Sequence, residues 1–225
     1  MMEELLPLNV ACDECWDDDL TASLLPGEAA QLGLAIESRT LEFTTARSCA
    51  RRALGKLGRP PAPILRGPNR EPLWPLGVVG SITHCKGFRA AAVALQADFW
   101  ALGIDAENHD RLPAEVVDHV LLKPEIAWLA KAPNGIHWDR VVFSAKECVY
   151  KAWFPLTHRW LGFEDVQVDF GPAEGTFHAR LLVDSTAIDG RVVTEFAGRF
   201  MVRNGLILTA AAVPAQLSSG SPKST

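Results

Sequence analysis

No run of apolar residues in this 225-residue chain reaches the ~18 that a membrane-spanning helix needs. The N-terminus, Met1-Met2-Glu3-Glu4, has neither the basic start nor the long apolar stretch of a secretory signal. These absences point to a cytoplasmic protein that does not engage a membrane. Positive charge is not in excess either: 22 Lys and Arg stand against 27 Asp and Glu, a net charge of −5, which leaves no basic footprint for nucleic acid. Cysteine is scarce, with five residues and no disulfide framework. Cys12 and Cys15 make a Cys-x-x-Cys pair, but no second pair stands at zinc spacing and no strand–helix context marks a redox motif. Both read as ordinary thiols, and Cys49, Cys85 and Cys148 as small helix or turn residues. There is no P-loop, no kinase motif and no residue-level repeat. What remains is a globular chain, 48% hydrophobic and 22% charged, with enough core for one large domain or two small ones.

The densest pattern is residues 140–155, Arg-Val-Val-Phe-Ser-Ala-Lys-Glu-Cys-Val-Tyr-Lys-Ala-Trp-Phe-Pro. It predicts one helix, capped by Asp139 and stopped by Pro155. Val142, Val149 and Trp153, with Val141, Cys148 and Ala152 beside them, recur at helical spacing and form a buried face. Phe143, Glu147 and Lys151 follow at intervals of four on a second face, with Tyr150 and Phe154 beside them. A glutamate and two lysines among such apolar neighbours call for a reason. The plain one is a half-exposed Glu147–Lys151 pair worth about 0.3–0.5 kcal/mol.

Residues 102–107, Leu-Gly-Ile-Asp-Ala-Glu, favour another reading. They read as the end of a strand, where Asp105 and Glu107, two apart, project from one face. Together with Glu147 they form a hard oxygen set of the kind that holds Mg²⁺, an ion that usually also bridges phosphate oxygens.

Gly103-Ile104-Asp105, followed 42 residues later by Glu147 inside Phe143-Ser144-x-Lys146-Glu147-x-x-x-Lys151, resembles the signature of the 4′-phosphopantetheinyl transferases. The longer run from Lys151 to Asp165, Lys-Ala-Trp-Phe-Pro-Leu-Thr-His-Arg-Trp-Leu-Gly-Phe-Glu-Asp, is similar to the Sfp-type branch, nearest its actinobacterial and enterobactin-synthase-component-D-like members. The resemblance extends from about residue 30 to residue 213. It implies an α/β (α+β) fold of two similar halves related by a pseudo-twofold axis, each a small, mainly antiparallel sheet packed with helices, with coenzyme A at the junction. The halves would be residues 1–99 and 100–213, followed by a disordered tail, 214–225.

The activity implied is Mg²⁺-dependent transfer of the phosphopantetheine arm of coenzyme A to a serine of an acyl or peptidyl carrier protein, with release of 3′,5′-ADP. The carriers would belong to fatty-acid, polyketide, nonribosomal-peptide or siderophore synthesis, and the enzyme would be a monomer. The site residues follow from the resemblance. Arg39 and Arg47 would hold the 3′-phosphate and adenine side, and Arg66 would face the nucleotide. Ser81, Thr83 and His84 would touch the pyrophosphate. Asp105, Glu107 and Glu147, with the Ala106 carbonyl as a further ligand, would hold Mg²⁺. Lys151, His84 and Lys146 would support the leaving phosphate, and Glu147 would take the serine proton. Leu161, with Phe143, Tyr150 and Trp160, would line the pantetheine channel. The alternative is a catalytically silent module that binds coenzyme A or a carrier protein; the presence of all three carboxylates and Lys151 speaks against it.

The rest of the chain gives coarser expectations. A strand is expected near Leu8–Ala11, and a helical stretch from Pro26 to about Leu57, carrying Leu32, Ile36, Phe43, Ala50, Leu54 and Leu57 at helical spacing, with a break near Ser38–Leu41 left open, and ended by Gly58. By spacing alone Arg39, Arg47, Arg51 and Arg52 make a basic helix face, although Arg39 and Arg47, about 80° apart around the axis, can meet one anion. Residues 59–77, rich in Pro and Gly, predict an extended loop. Strands are expected over 78–84, 88–95, 100–105, 163–170, 176–184, 192–203 and 206–213, the last two joined by an Asn204-Gly205 hairpin. Residues 112–131 read as helical with a break at Pro124.

Overall fold

The computed structural model describes residues 1–33, 36–183, 186–188 and 191–215. In chain order the elements are β1 (Ala11–Trp16), α1 (Glu37–Lys56), β2 (Leu65–Arg66), β3 (Pro72–Leu73), β4 (Val78–Cys85), β5 (Phe88–Leu95), β6 (Phe99–Asn108), α2 (Ala114–Val120), α3 (Lys123–Leu129), α4 (Trp138–Thr157), β7 (Val166–Gly171), β8 (Thr176–Leu181), β9 (Thr186–Ile188), β10 (Arg191–Val193), β11 (Glu195–Arg203) and β12 (Leu206–Pro214). The strands form an antiparallel three-stranded sheet, β1-β5-β4, and an antiparallel five-stranded sheet, β6-β12-β11-β8-β7, with two small hairpins, β2-β3 and β9-β10. This is the mixed α/β class that the resemblance implied.

Alternation along the strands sorts the core into layers. Ala91 and Val93 of β5 pack on Cys49, Ala50, Ala53 and Leu54 of α1. The even-numbered residues of β5, from Phe88 to Ala94, turn the other way. They share a cluster with Leu102, Ile104 and Ala106 of β6 and with the N-terminal 3₁₀ turn, Met2–Leu5. The odd face of β6 and the inward residues of β7, β8, β11 and β12 bury Val141, Ala145, Cys148, Val149, Ala152 and Trp153 of α4. The two main helices therefore lie on opposite outer layers. Asp105 and Glu107, being odd, face α4.

Several boundaries differ from the expectations. The first strand starts at Ala11 and not at Leu8, which is fully exposed. It is a sheet-edge strand of mixed polarity, so alternation marks it weakly. The helix expected from Pro26 begins only at Glu37, because Gly27 and Gly33 take positive φ (91° and 57°) and Ile36 is extended. Ile36 is accordingly an exposed cap and not a core residue. The loop 59–77 contains the short β2-β3 hairpin. Pro124 is in the opening turn of a new helix, α3, and residues 163–165 form a 3₁₀ turn before β7.

Asp139 is inside the first turn of α4 and accepts the Leu112 N–H at 2.9 Å, while His137 occupies the cap position. Pro155 lies in the last turn. The helix passes through it and ends where His158 goes left-handed (φ 51°). Asn204 and Gly205, at φ 54° and 74°, make the expected hairpin turn. The segment expected as one strand over 192–203 is divided into β10 and β11. Asp184, the end of another expected strand, and residues 216–225 of the expected tail lie outside the described residues. Cys12 and Cys15 fall on opposite faces of β1, in separate clusters, and remain free thiols.

Candidate functional site

The site begins at a seam. β4 and β6 are neighbours without a backbone ladder between them; instead the Ser81 hydroxyl accepts the Ile104 N–H at 3.1 Å and the Thr83 hydroxyl accepts the Ala106 N–H at 3.0 Å. Two buried side chains thus do the work of a strand pair, and they bring the last turns of β6 against β4. Gly103 does the same toward α4: a Cβ there would overlap the Cys148 carbonyl, and the Cys148 thiol donates to the Gly103 carbonyl at 3.2 Å. The glycine of Gly-Ile-Asp is therefore a requirement of close backbone approach.

Asp105 sits where strand, seam and helix meet and is 4% exposed. It receives Lys151 Nζ at 2.6 Å, the Ser144 hydroxyl at 2.8 Å and the Thr83 hydroxyl at 3.3 Å. Ser144 is itself bonded to Thr209 on β12. Lys151 thus turns to Asp105 and not to Glu147 one helical turn away, so the expected Glu147–Lys151 pair is not formed. Burial opposes the Lys151 charge, but the Asp105 carboxylate outweighs it and holds the ammonium above its ordinary range.

Glu107 points the same way as Asp105 and is gripped by Arg140, Nη1 to Oε2 at 3.0 Å. Arg140 is anchored in turn on the carbonyls of Asp110 and Arg111. Burial, then the nearby Asp105 charge, pushes Glu107 up to about 7. Glu147 accepts no hydrogen bond among the described residues, and burial raises its carboxyl above the usual range, with Asp105 adding to the effect against Lys151. Asp105, Glu107, Glu147 and Lys151 line one pocket of about 310 Å³ with Thr83, His84, Ile82 and Phe143.

Next to it lies a cluster of arginines. Arg39, Arg47, Arg66 and Arg70, with His84, whose proton affinity burial lowers, line a pocket of about 120 Å³ around Phe43. The guanidinium carbons of Arg47 and Arg66 stand 4.1 Å and 4.5 Å from the Phe43 ring centroid. Arg47 is buried and held to about 10, first by burial and then by Arg66. Arg39 pairs with Glu42 at 2.6 Å, and Glu42 also meets His84 Nδ1 at 2.7 Å. Arg51 and Arg52 are spent elsewhere, on Glu28 and on Asp13 and Asp19. On the other side, Tyr150, Trp160 and Leu161 line a groove of about 470 Å³ that shares Glu147 with the carboxylate pocket. Phe143 instead faces the carboxylate pocket and packs on Phe163, ring centroids 5.5 Å apart.

Lys146 lines the aromatic groove beside Glu147, but its ammonium is already engaged. All three N–H bonds of the Lys146 ammonium are committed, to Glu125 at 2.9 Å and to the carbonyls of Val120 at 2.7 Å and Phe163 at 2.9 Å. Glu125 also accepts the Leu122 and Val168 amides. Lys146 is a satisfied buried cation tying α4 to α3 and the 163–165 turn, one residue away from the face that carries Glu147. Ser81 and Thr83 likewise act first as seam hydroxyls.

Four residues around the site were not anticipated: Arg70, Arg140, Glu42 and Thr209. Glu42 had a signal in its spacing of three from Arg39 on a helix. Arg140, two turns before Glu147 on the same helix, had one too. Arg70, in a loop turn, and Thr209, on a distant strand, had none.

Comparison with known proteins agrees with this geometry. A family model described as the 4′-phosphopantetheinyl transferase N-terminal domain matches residues 27–94, and one described as the 4′-phosphopantetheinyl transferase superfamily matches residues 101–196. The chain is 46% identical over 222 residues to the 4′-phosphopantetheinyl transferase Npt of Nocardia iowensis, covering 94% of this chain and 99% of that one. It is 45% identical over 219 residues to PptT of Mycobacterium tuberculosis, covering 93% and 96%. To enterobactin synthase component D of Escherichia coli O157:H7 it is 33% identical over 144 residues, covering 62% and 66%. A strand carrying Gly-Ile-Asp packed against a helix carrying Lys-Glu-x-x-x-Lys, with matches across both parts of the chain, establishes that this protein belongs to the 4′-phosphopantetheinyl transferase superfamily.

Proposed function

We propose that the protein transfers the 4′-phosphopantetheine arm of coenzyme A to a serine of an apo acyl or peptidyl carrier protein, releasing 3′,5′-ADP, and that it does so as a cytoplasmic monomer using Mg²⁺. One observation carries this reading: the carboxylate–lysine pocket lies between the arginine cluster and the aromatic groove, sharing Ile82 and His84 with the first and Glu147 with the second. Coenzyme A has the same order, a 3′-phosphorylated nucleotide, a pyrophosphate and a long thin arm. We assign the arginine cluster to residues 1–99 and the catalytic helix to residues 100–213 as the two working halves.

In the reaction a bond forms from the serine oxygen to the phosphorus that bears the pantetheine arm, and the bond from that phosphorus to the bridging oxygen breaks. Glu147, which accepts no hydrogen bond among the described residues, takes the serine proton, directly while its carboxylate is free of metal or through a water when it holds the ion. Lys151, held on Asp105, places positive charge where the bridging oxygen leaves. Arg39, Arg47 and Arg66, with Arg70, hold the 3′-phosphate and nucleotide by charge-assisted bonds. Tyr150, Trp160 and Leu161 hold the arm.

The donor set suits Mg²⁺. Three carboxylates line one pocket, and two of them, Glu107 and Glu147, are raised first by burial and further by the Asp105 charge. Among the described residues no three His, Cys, Asp or Glu side chains stand in a ready coordination shell. Mg²⁺ tolerates that, since water and substrate phosphate oxygens usually complete the set of ligands that a protein offers it. Asp105, Glu107 and Glu147 would hold it. The Ala106 carbonyl, on the same strand edge as the N–H that meets Thr83, points away from β12 and would be a further ligand. Bound there, the ion would neutralise pyrophosphate charge.

Transfer of label from the phosphopantetheine arm of coenzyme A to a panel of apo-carriers tests the function; binding without transfer to any carrier would leave a silent module. Two further results are expected. Glu107, with its folded pKa near 7 against an ordinary value of 4.5, favours the fold while protonated, so its contribution is present below about pH 4.5 and lost as pH rises through 7. Mg²⁺ should therefore raise the melting temperature clearly at pH 7.5 and little at pH 5; an equal rise at both would count against these ligands. Arg39→Ala and Arg47→Ala should weaken coenzyme A about tenfold or more and 3′-dephospho-coenzyme A much less. Titration calorimetry with both ligands decides it, and equal losses would remove these arginines from the 3′-phosphate.

A further inference from the structure

The arginine cluster raises a question of its own. Four guanidinium groups lining one pocket repel each other, and stacking on the Phe43 ring alone leaves the backbone that carries Arg66 and faces Arg47 to be fixed by something else. Arg66 lies on β2, a strand of two residues whose partner β3 supplies Pro72 opposite it, a residue with no N–H to donate. Leu65 faces β3, and the Gly67 N–H bonds the Glu71 carbonyl, so Ile64 and Arg66 turn their backbone groups to the outer edge.

That edge is not left to water. Glu28 Oε1 accepts the Ile64 N–H at 2.8 Å. Gln31 Oε1 accepts the Arg66 N–H at 2.7 Å, and Gln31 Nε2 donates to the Arg66 carbonyl at 3.1 Å. Glu28 and Gln31 flank one 3₁₀ turn, Ala29–Gln31, with Glu28 at its cap. Residues three apart on such a turn are eclipsed and about 6 Å apart along its axis. Alternate residues of a strand are about 6.6 Å apart. The two repeats match, so two side chains stand in for the missing third strand of the hairpin.

The pinned segment then acts on the cluster at two points. Arg66 is part of it, and the Ile64 carbonyl accepts Arg47 Nε at 3.0 Å. Glu28 is 0% exposed and is held by Arg51, at 2.8 Å and 3.0 Å, and by the Leu25 N–H at 2.7 Å. It is a fixed post, whereas Gln31 is exposed.

We infer that Glu28 and Gln31 are positioning residues for coenzyme A selection: through the Ile64–Arg66 edge they hold Arg47 and Arg66 in the geometry that distinguishes a 3′-phosphorylated nucleotide from one without that phosphate. The inference rests on the reading that this cluster takes the 3′-phosphate. A preorganised cluster binds without first ordering its arginines, which is where the affinity is gained.

The test uses titration of coenzyme A and 3′-dephospho-coenzyme A into the full chain. Glu28→Gln strips Arg51 of its buried charge partner, so the decision rests on Gln31, which can be shortened without leaving a buried charge. Gln31→Ala should weaken coenzyme A about five- to tenfold and leave 3′-dephospho-coenzyme A within about twofold. In an Arg66→Ala background the same substitution should add a smaller loss, because the part that passes through the Arg66 side chain is already gone and only the part through the Ile64 carbonyl and Arg47 remains. Equal weakening of both ligands, or a full additional loss in the Arg66→Ala background, would overturn the inference and leave Gln31 a surface contact. If Arg47→Ala treats the two ligands alike, the 3′-phosphate reading itself fails and the positioning role falls with it.

Discussion

Replacing Glu147 with glutamine is expected to reduce transfer about 10²–10⁴-fold while leaving the metal-free protein as stable as before or more so. The loss follows from removing the group that takes the serine proton and one of three carboxylates facing the pyrophosphate. The gain follows from burial. Glu147 accepts no hydrogen bond among the described residues, and its raised proton affinity means that ionisation at neutral pH disfavours the folded state. The folded pKa lies above the unfolded one, so the penalty appears as pH rises through the ordinary carboxylate range and is complete above the folded value. Glutamine keeps the shape and carries no charge, which removes the penalty. Such exchange of stability for activity is common where a charge is held ready for chemistry. Turnover on one apo-carrier and melting temperature without Mg²⁺ at pH 7.5 check both halves. Near-normal turnover would take Glu147 out of the reaction, and a marked fall in melting temperature would show that its carboxylate holds the fold.

Lys151→Ala has the opposite signature on stability. Turnover is expected to fall about 10²–10³-fold, the usual effect of losing one donor aimed at developing charge. Coenzyme A affinity is expected to change much less, because charge on the departing oxygen is largest in the transition state. The melting temperature should also fall. Lys151 is the charged partner of Asp105, and its removal leaves a buried carboxylate with only the Ser144 and Thr83 hydroxyls. A double variant separates the roles: Asp105→Asn with Lys151→Ala removes both charges, so it should recover much of the melting temperature and none of the turnover. Recovery of turnover would reduce Lys151 to a structural partner. Equal losses in turnover and coenzyme A affinity for the single variant would make it an ordinary ground-state phosphate contact.

Legibility differed between elements for physical reasons. The central helix was plain because its buried face repeats at 3.6 residues and carries charges among apolar neighbours. β4, β5 and β12 were plain because each is bounded by a turn or packed on both faces. α1 was overextended because Leu32 and Ile36 happen to continue its period; only the left-handed backbone at Gly27 and Gly33 breaks it, and glycine alone does not announce that conformation. β1 was misplaced because an edge strand needs no strict alternation.

What the sequence determined by itself was chemical. Asp105 and Glu107 share a face because a strand alternates. Glu147 and Lys151 share a face because a helix turns every 3.6 residues. Those periods are local, and they were enough to name the oxygen donors and the cation. Partner choice was decided only by the tertiary structure. Lys151 can reach Glu147 along its own helix, yet packing of Gly103 against Cys148 brings Asp105 closer, and the pair forms across the layers instead. Lys146, adjacent to Glu147 in the chain, is rotated about 100° around the helix, into a buried nest of carbonyls and Glu125. Arg39, Arg47, Arg66 and Arg70 become one cluster because strand β2 and the turn that follows it pack against the Phe43 face of α1. Spacing along a chain fixes direction within one element; distance between elements depends on how their faces pack.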